Sequence, residues 1–221
     1  MIKFEKTDFQ FNSYYIMLIF LILYLVLAWL MYSSIMTDSI FYQTYGTQIS
    51  FDRIEEIISA NKIISWISYI FIAVFLILRL LTTAAIIYFA TYLSDLKISY
   101  NQLLNIILIS EVVLLLSAIT KYVGLLTWHN YSTISDIQSF MPLSALSFVK
   151  NPTELPVFIK YTLQLFNLFE ITYWFIISFF LTIVTKIKFQ KSVSLVFSSY
   201  VISLIFWIIL ISFLSTTIIK T

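Results

Sequence analysis

Long uninterrupted apolar runs separated by short polar segments dominate this chain, and the alternation of the two predicts its elements. The first run covers residues 14–32 (YYIMLIFLILYLVLAWLMY), with tyrosines at both ends and Trp29 near its exit. That is the aromatic belt expected where a helix crosses from hydrocarbon to water. Further runs cover 66–93, 102–128, 162–185 and 193–215. Each meets or approaches the roughly 20 residues that a helix needs to cross about 30 Å of hydrocarbon. The pattern predicts an all-α, polytopic membrane helix bundle of five transmembrane helices, with residues 1–221 forming a single membrane domain.

The segments between the runs are unequal. Residues 33–49 read as a polar, Tyr-rich loop. Residues 50–64 (SFDRIEEIISANKII) read as an amphipathic helix outside the membrane, with Ile54, Ile57, Ile58 and Asn61 on one face. Asp52 followed by Glu55 resembles a capping box at its start. Spans two and three are joined by SDLKISYN and spans four and five by KIKFQKS, so each pair is expected to form an antiparallel hairpin. The longest connection, 129–161, holds Pro142, Pro152 and Pro156, and its LSALSFVK stretch has room for one or two helical turns at the interface.

Composition sharpens this reading. Charged residues make up 11% of the 221, against roughly 25% in soluble domains, so the bundle is solvated by lipid. A net charge of +2, with scattered lysines, gives no footprint for nucleic acid. With no cysteine, disulfides, thiol catalysis, thiolate metal sites and palmitoylation are excluded. Lys3 and Lys6 resemble the n-region of a signal peptide, but the run after them is span-length and no small-residue cleavage site follows. The first segment is therefore expected to be retained.

Loop charges set the expected orientation. Lys3, Lys6, Lys97, Lys186, Lys188 and Lys191 fall on one side in short segments. Arg53, Lys62, Lys150, Lys160 and Lys220 are spread over longer loops on the other side, together with most of the acidic residues. By density of positive charge, the N-terminus is inside and the C-terminus outside. Usage of Ile, Phe, Tyr, Asn and Lys fits a bacterial source, and hence the cytoplasmic (inner) membrane.

Arg79, Glu111, Lys121 and Glu170 fall inside predicted spans. A lone charge at mid-bilayer costs about 2.5–3.5 kcal/mol on insertion scales, so such residues face the bundle interior and find partners. Counted from the lysine-rich ends, Arg79 and Glu170 lie at nearly the same depth, which makes Glu170 the expected partner of Arg79. Glu111 lies within reach of a bent arginine, and Lys121 is placed to snorkel. Ser68, Thr82 and Thr83 extend the Arg79 stripe, Asn167 and Tyr173 flank Glu170, and Ala118 and Tyr122 share the Glu111 face. The expected intramembrane polar network is thus Arg79, Thr83, Glu111, Asn167, Glu170 and Tyr173. It reads either as a fastener of helix order or as a proton, ion or substrate site, and the missing relay residues favour the fastener.

Catalytic signatures are absent: there is no H-E-x-x-H, G-x-S-x-G, P-loop or dinucleotide fingerprint. The one histidine, His129, reads as an interfacial residue. The Ser194/Ser198 and Ser199/Ser203 pairs read as close-packing positions. No catalytic residue, metal ligand set or cofactor is expected, and the chain is expected not to be an enzyme.

From about residue 66 onward, the order of features resembles the Yip-type superfamily, five-span membrane proteins named for eukaryotic Rab-GTPase-interacting members. The similar features are the tight span two–three hairpin, the Pro-containing stretch MPLSALSFVKNPTELP, and the final basic-turn hairpin TKIKFQKSVSLVFSSYVISLIFW. NLFEITYWF looks most like bacterial proteins grouped with that superfamily. The Asp-Leu-Tyr-Gly-Pro segment of the eukaryotic members is missing, so the resemblance implies topology and no Rab-binding role. Taken together, these features predict an accessory or scaffold subunit of a membrane export, secretion or transport assembly. The expected partners are the lipid bilayer and another membrane protein or further copies of this chain. The rival readings are a small transporter or channel built on the Arg/Glu layer, and an immunity or sensor protein.

Overall fold

A computed structural model describes residues 12–128, 130–206 and 208–209; the expectations for Lys3, Lys6, His129, Lys220 and residues 210–215 lie outside these. Among the described residues all regular structure is helical, apart from one isolated bridge. Among the described residues, five helices are long and apolar enough to cross a membrane.

Helix α1 (Ser13–Ser34) begins where the Asn12 side chain accepts from the Tyr14 amide, and only Phe20 on it is buried. Ile16, Met17, Leu21, Tyr24 and Leu27 pack half-buried against the core, and the rest of its apolar surface faces outward, as a lipid-solvated helix allows. Helix α2 (Asp38–Tyr45) occupies the segment expected to be a loop, because Ile40 and Phe41 bury themselves against neighbouring elements. Tyr-rich polarity hid these two anchors.

Helix α3 (Phe51–Leu93) runs unbroken for 43 residues, about 64 Å. The expected outer helix and second span are therefore one rod. Nothing between 64 and 66 breaks a helix, since neither proline nor glycine is present. The cap also differs from expectation. Ser50 is the N-cap and Asp52 sits inside the first turn, so Asp52 and Glu55 do not form a box. Ile54 and Ile58 pack on Phe41, while Lys62 reaches back to Asp38 at 3.2 Å. Together α2 and the start of α3 make a head at one end of the bundle.

Helix α4 (Tyr100–Thr127) opens with a full Ser99/Gln102 capping box. It is the most enclosed span and packs against α1, α3 and the later α7. Leu103, Ile106, Ile107 and Leu108 on it are fully buried. The 130–167 connection is structured rather than loose. Helix α5 (Ile134–Ser139) is closed by a Thr133/Asp136 capping box, and its Ile134 amide donates to Thr44 Oγ1 of α2 at 3.0 Å. Partial burial raises the Asp136 pKa, but hydrogen bonds from Thr133 and Ser132 outweigh it and hold the carboxyl below the ordinary range. Two 3-10 turns (Ala145–Phe148 and Pro152–Glu154) and helix α6 (Val157–Leu165) follow.

The fourth span is shorter than expected. Helix α7 (Leu168–Thr185) starts only after a break at Phe166–Asn167, so the 162–185 run is two helices. Helix α8 (Phe189–Val196) follows a tight turn closed by Lys186 at φ 57°. It continues through a π-helical turn (Phe197–Val201) into further helix to Phe206. The main core lies where α3, α4 and α7 meet, around Leu80, Ile87, Ile177 and Leu181.

Gly124 of α4 is packed directly against Phe140 at the end of α5. A Cβ there would stand 2.8 Å from Phe140 Cζ and 2.9 Å from its Cε1. Gly124→Leu is expected to cost about 1–3 kcal/mol by overpacking, read as a lower melting temperature in detergent, and Phe140→Ala in the same chain should recover most of the loss. Equal melting of wild type and Gly124→Leu would rule the contact out.

Candidate functional site

Two polar clusters occupy the bundle interior. The first is built on Glu111 of α4, whose side chain is fully enclosed. Arg79 of α3 forms an ion pair with Glu111 Oε1 through Nη2. Tyr24 of α1 donates to the same oxygen at 2.8 Å, and its ring lies beneath the guanidinium, 5.9 Å from centroid to Cζ. One carboxylate thus gathers three helices. Helical spacing explains the arrangement, since Arg79 shares a face of α3 with buried Leu76, Leu80 and Thr83. Glu111 Oε2, by contrast, has no hydrogen-bond donor among the described residues.

The second cluster surrounds Glu170. Its Oε1 accepts from Tyr200 Oη at 2.9 Å and from Trp174 Nε1 at 3.2 Å. The expected pairing of Arg79 with Glu170 is therefore corrected: Glu111 takes the arginine, and Glu170 feels its charge without touching it. Equal depth did not decide the pairing, because α3 packs chiefly against α4 and α1, which puts Glu111 of α4 and not Glu170 of α7 next to Arg79. Glu170 is not mid-span but in the first turn of α7, where a carboxylate also interacts favourably with the helix dipole.

Asn167 creates that start. Its Oδ1 accepts from the Glu170 amide at 2.8 Å, which caps α7. Its Nδ2 donates to the Gln164 carbonyl at 2.9 Å at the end of α6. The backbone freed by the break is paired by the loop beside it. Ala145 N donates to Phe166 O at 2.8 Å, and Leu168 N donates to Leu143 O at 3.0 Å. Irregular backbone at this position is tolerated because protein groups satisfy it.

Tyr173 is buried between the clusters, within the electrostatic reach of Arg79, Glu111 and Glu170, and its ring meets Tyr200 edge-on at 5.7 Å. Thr83 is buried one turn beyond Arg79. Thr82 and Ser68 leave the expected stripe: both are exposed and hydrogen-bond to carbonyls of their own helix. Tyr122 meets Ser34 at 3.2 Å rather than Glu111, and Lys121 has no ion-pair partner among the described residues. Sequence reasoning overlooked Tyr24, Trp174 and Tyr200. The usable signal was a tyrosine in mid-span, away from both belts, since a buried phenol needs a partner for its hydroxyl. The π turn over 197–201 is where Tyr200 reaches Glu170; such turns often occur at functional sites.

Chemically, both carboxylates are held by donors from the chain itself, which suits fastening better than turnover. Arg79→Met leaves Glu111 buried with Tyr24 alone and is expected to cost about 3 kcal/mol or more. Adding Glu111→Gln should restore over half of that in a thermal-melt double-mutant cycle, and strictly additive losses would show that the pair is uncoupled. Asn167→Ala, which removes both caps, should cost about 1–2 kcal/mol by the same measurement, with Asn167→Asp recovering only the α7 part.

No protein-family model, no curated protein and no solved structure matches this chain.

Proposed function

We propose that this chain is a non-enzymatic, multi-pass protein of the bacterial inner membrane, N-terminus inside and C-terminus outside, serving as an accessory or scaffold subunit of a membrane export, secretion or transport assembly. The resemblance to the Yip-type superfamily is kept as part of this proposal. The observation that carries the reading is how the intramembrane charges are used. Arg79, Glu111 and Glu170 are engaged by one another or by Tyr24, Trp174 and Tyr200, so they join helices. The head built from α2, the start of α3 and α5 then offers the surface for a partner. Beside it the 3-10 turn carries Phe148, which is 92% exposed. An aromatic ring left that bare suits an anchor for another protein.

A small transporter remains the second reading, favoured by the unpaired Glu111 Oε2. One purification separates the two. Extracted from its own membranes in mild detergent, the chain is expected to elute with a stoichiometric membrane partner, and Phe148→Ser should release that partner without changing the melting temperature. Elution alone, combined with a proton flux in liposomes that Glu170→Gln abolishes, would replace the scaffold by the transporter.

A further inference from the structure

At the end of the bundle opposite the head, the turn between α3 and α4 and the turn between α7 and α8 lie side by side. This end carries Lys97, Lys186, Lys188 and Lys191, against one carboxylate among the described residues, Asp95. None of the four lysines has an ion-pair partner among the described residues.

A groove opens here between the last turns of α3 and the first turns of α8. Its rim is polar, formed by Lys191, Ser94 and Ser194, and its floor runs inward along Leu93, Phe89 and Ile86. Ser94 and Ser194 make no side-chain hydrogen bond to other described residues, so both hydroxyls are free to donate. From Ser94 to Ile86 the groove deepens by about 12 Å along the helix. One end is thus cationic with free hydroxyls; deeper in, the α3 wall is aliphatic and aromatic, and Ser198 and Ser199 of the opposite wall turn their hydroxyls onto the Leu195 carbonyl of their own helix, with the axis parallel to the spans. Asp95 is exposed and lies outside the lining.

We propose that this groove binds an anionic phospholipid, with the phosphate held by Lys191, Ser94 and Ser194 and one acyl chain laid along Phe89, Leu93 and Ile86. The inference rests on the membrane reading above. Basic pockets between spans are the physical solution for holding acidic head groups, because the lysine sits at phosphate depth while the walls stay in hydrocarbon. A free anion would use the rim and leave the apolar floor unfilled, so the occupant is a lipid.

The test is native mass spectrometry of the full chain, reconstituted in phosphatidylcholine bilayers with or without phosphatidylglycerol, then released and counted for retained lipid. Phosphatidylglycerol should be retained in preference to phosphatidylcholine. Lys191→Ala should cut that retention about fivefold, Lys191→Arg should restore it, and Lys186→Ala, outside the groove, should stay near wild type. Phe89→Ser should also weaken retention, whereas excess inorganic phosphate should not displace the lipid. Equal losses for Lys186→Ala and Lys191→Ala would overturn the site in favour of diffuse surface charge, and displacement by phosphate would overturn it in favour of a free anion. Carbonate extraction of the reconstituted protein would remove the membrane reading and this site together. Stable integration without lipid preference would remove this site alone.

Discussion

Burying a carboxylate in an apolar bundle is tolerable only when donors converge on it, and Glu111 imposes that constraint on three helices at once. Arg79 must come from α3 and Tyr24 from α1, at the one height where both reach the same oxygen. A one-residue slip of either helix would rotate its donor by about 100° away from α4. Apolar packing alone does not fix register in lipid, where a leucine is as well solvated by acyl chains as by another helix. The polar contact supplies the specificity that hydrophobic burial gives a soluble core.

The break before α7 follows the same logic on the backbone. Ending α6 and restarting at Leu168 frees amides and carbonyls that need new partners. Asn167 answers with both of its side-chain groups, and residues 143–145 supply a short antiparallel pairing for the rest. No glycine or proline is needed, because an asparagine able to cap in both directions ends one helix and begins the next. The cost of placing Glu170 in an oily segment then falls, since it sits at a helix start with Tyr200 and Trp174 as donors.

Much of the architecture was legible in residue order. Run length and flanking aromatics located the spans, and helical spacing put Arg79 and Glu111 on interior faces. What hydropathy cannot see is where one apolar helix stops and another starts, because Leu163, Leu165 and Phe166 carry the apolar run across Gln164 and Asn167 into the residues that follow. That blindness placed Glu170 in mid-span, while depth alone, which does not say which helices are neighbours, assigned Arg79 the wrong carboxylate. It also divided α3, whose polar and apolar thirds differ in solvent and not in backbone. Tyr24 and Tyr200 escaped notice because membrane tyrosines are usually read as belt residues; their depth in the run was the unused clue. Ile40 and Phe41 show the converse: two apolar residues among polar ones nucleate a helix once a partner face exists.

The continuity of α3 has a mechanical meaning. A helix without glycine, proline or a π turn along 43 residues has no hinge, so its two ends cannot move independently. If Arg79 acts as the fulcrum, the arm toward the head is about 42 Å and the arm toward the opposite turn about 21 Å. A tilt of about 5° would then carry Phe51 roughly 4 Å sideways and Leu93 roughly 2 Å the other way. Whatever grips the head is thereby geared, two to one, to the lysine-bearing end of the bundle.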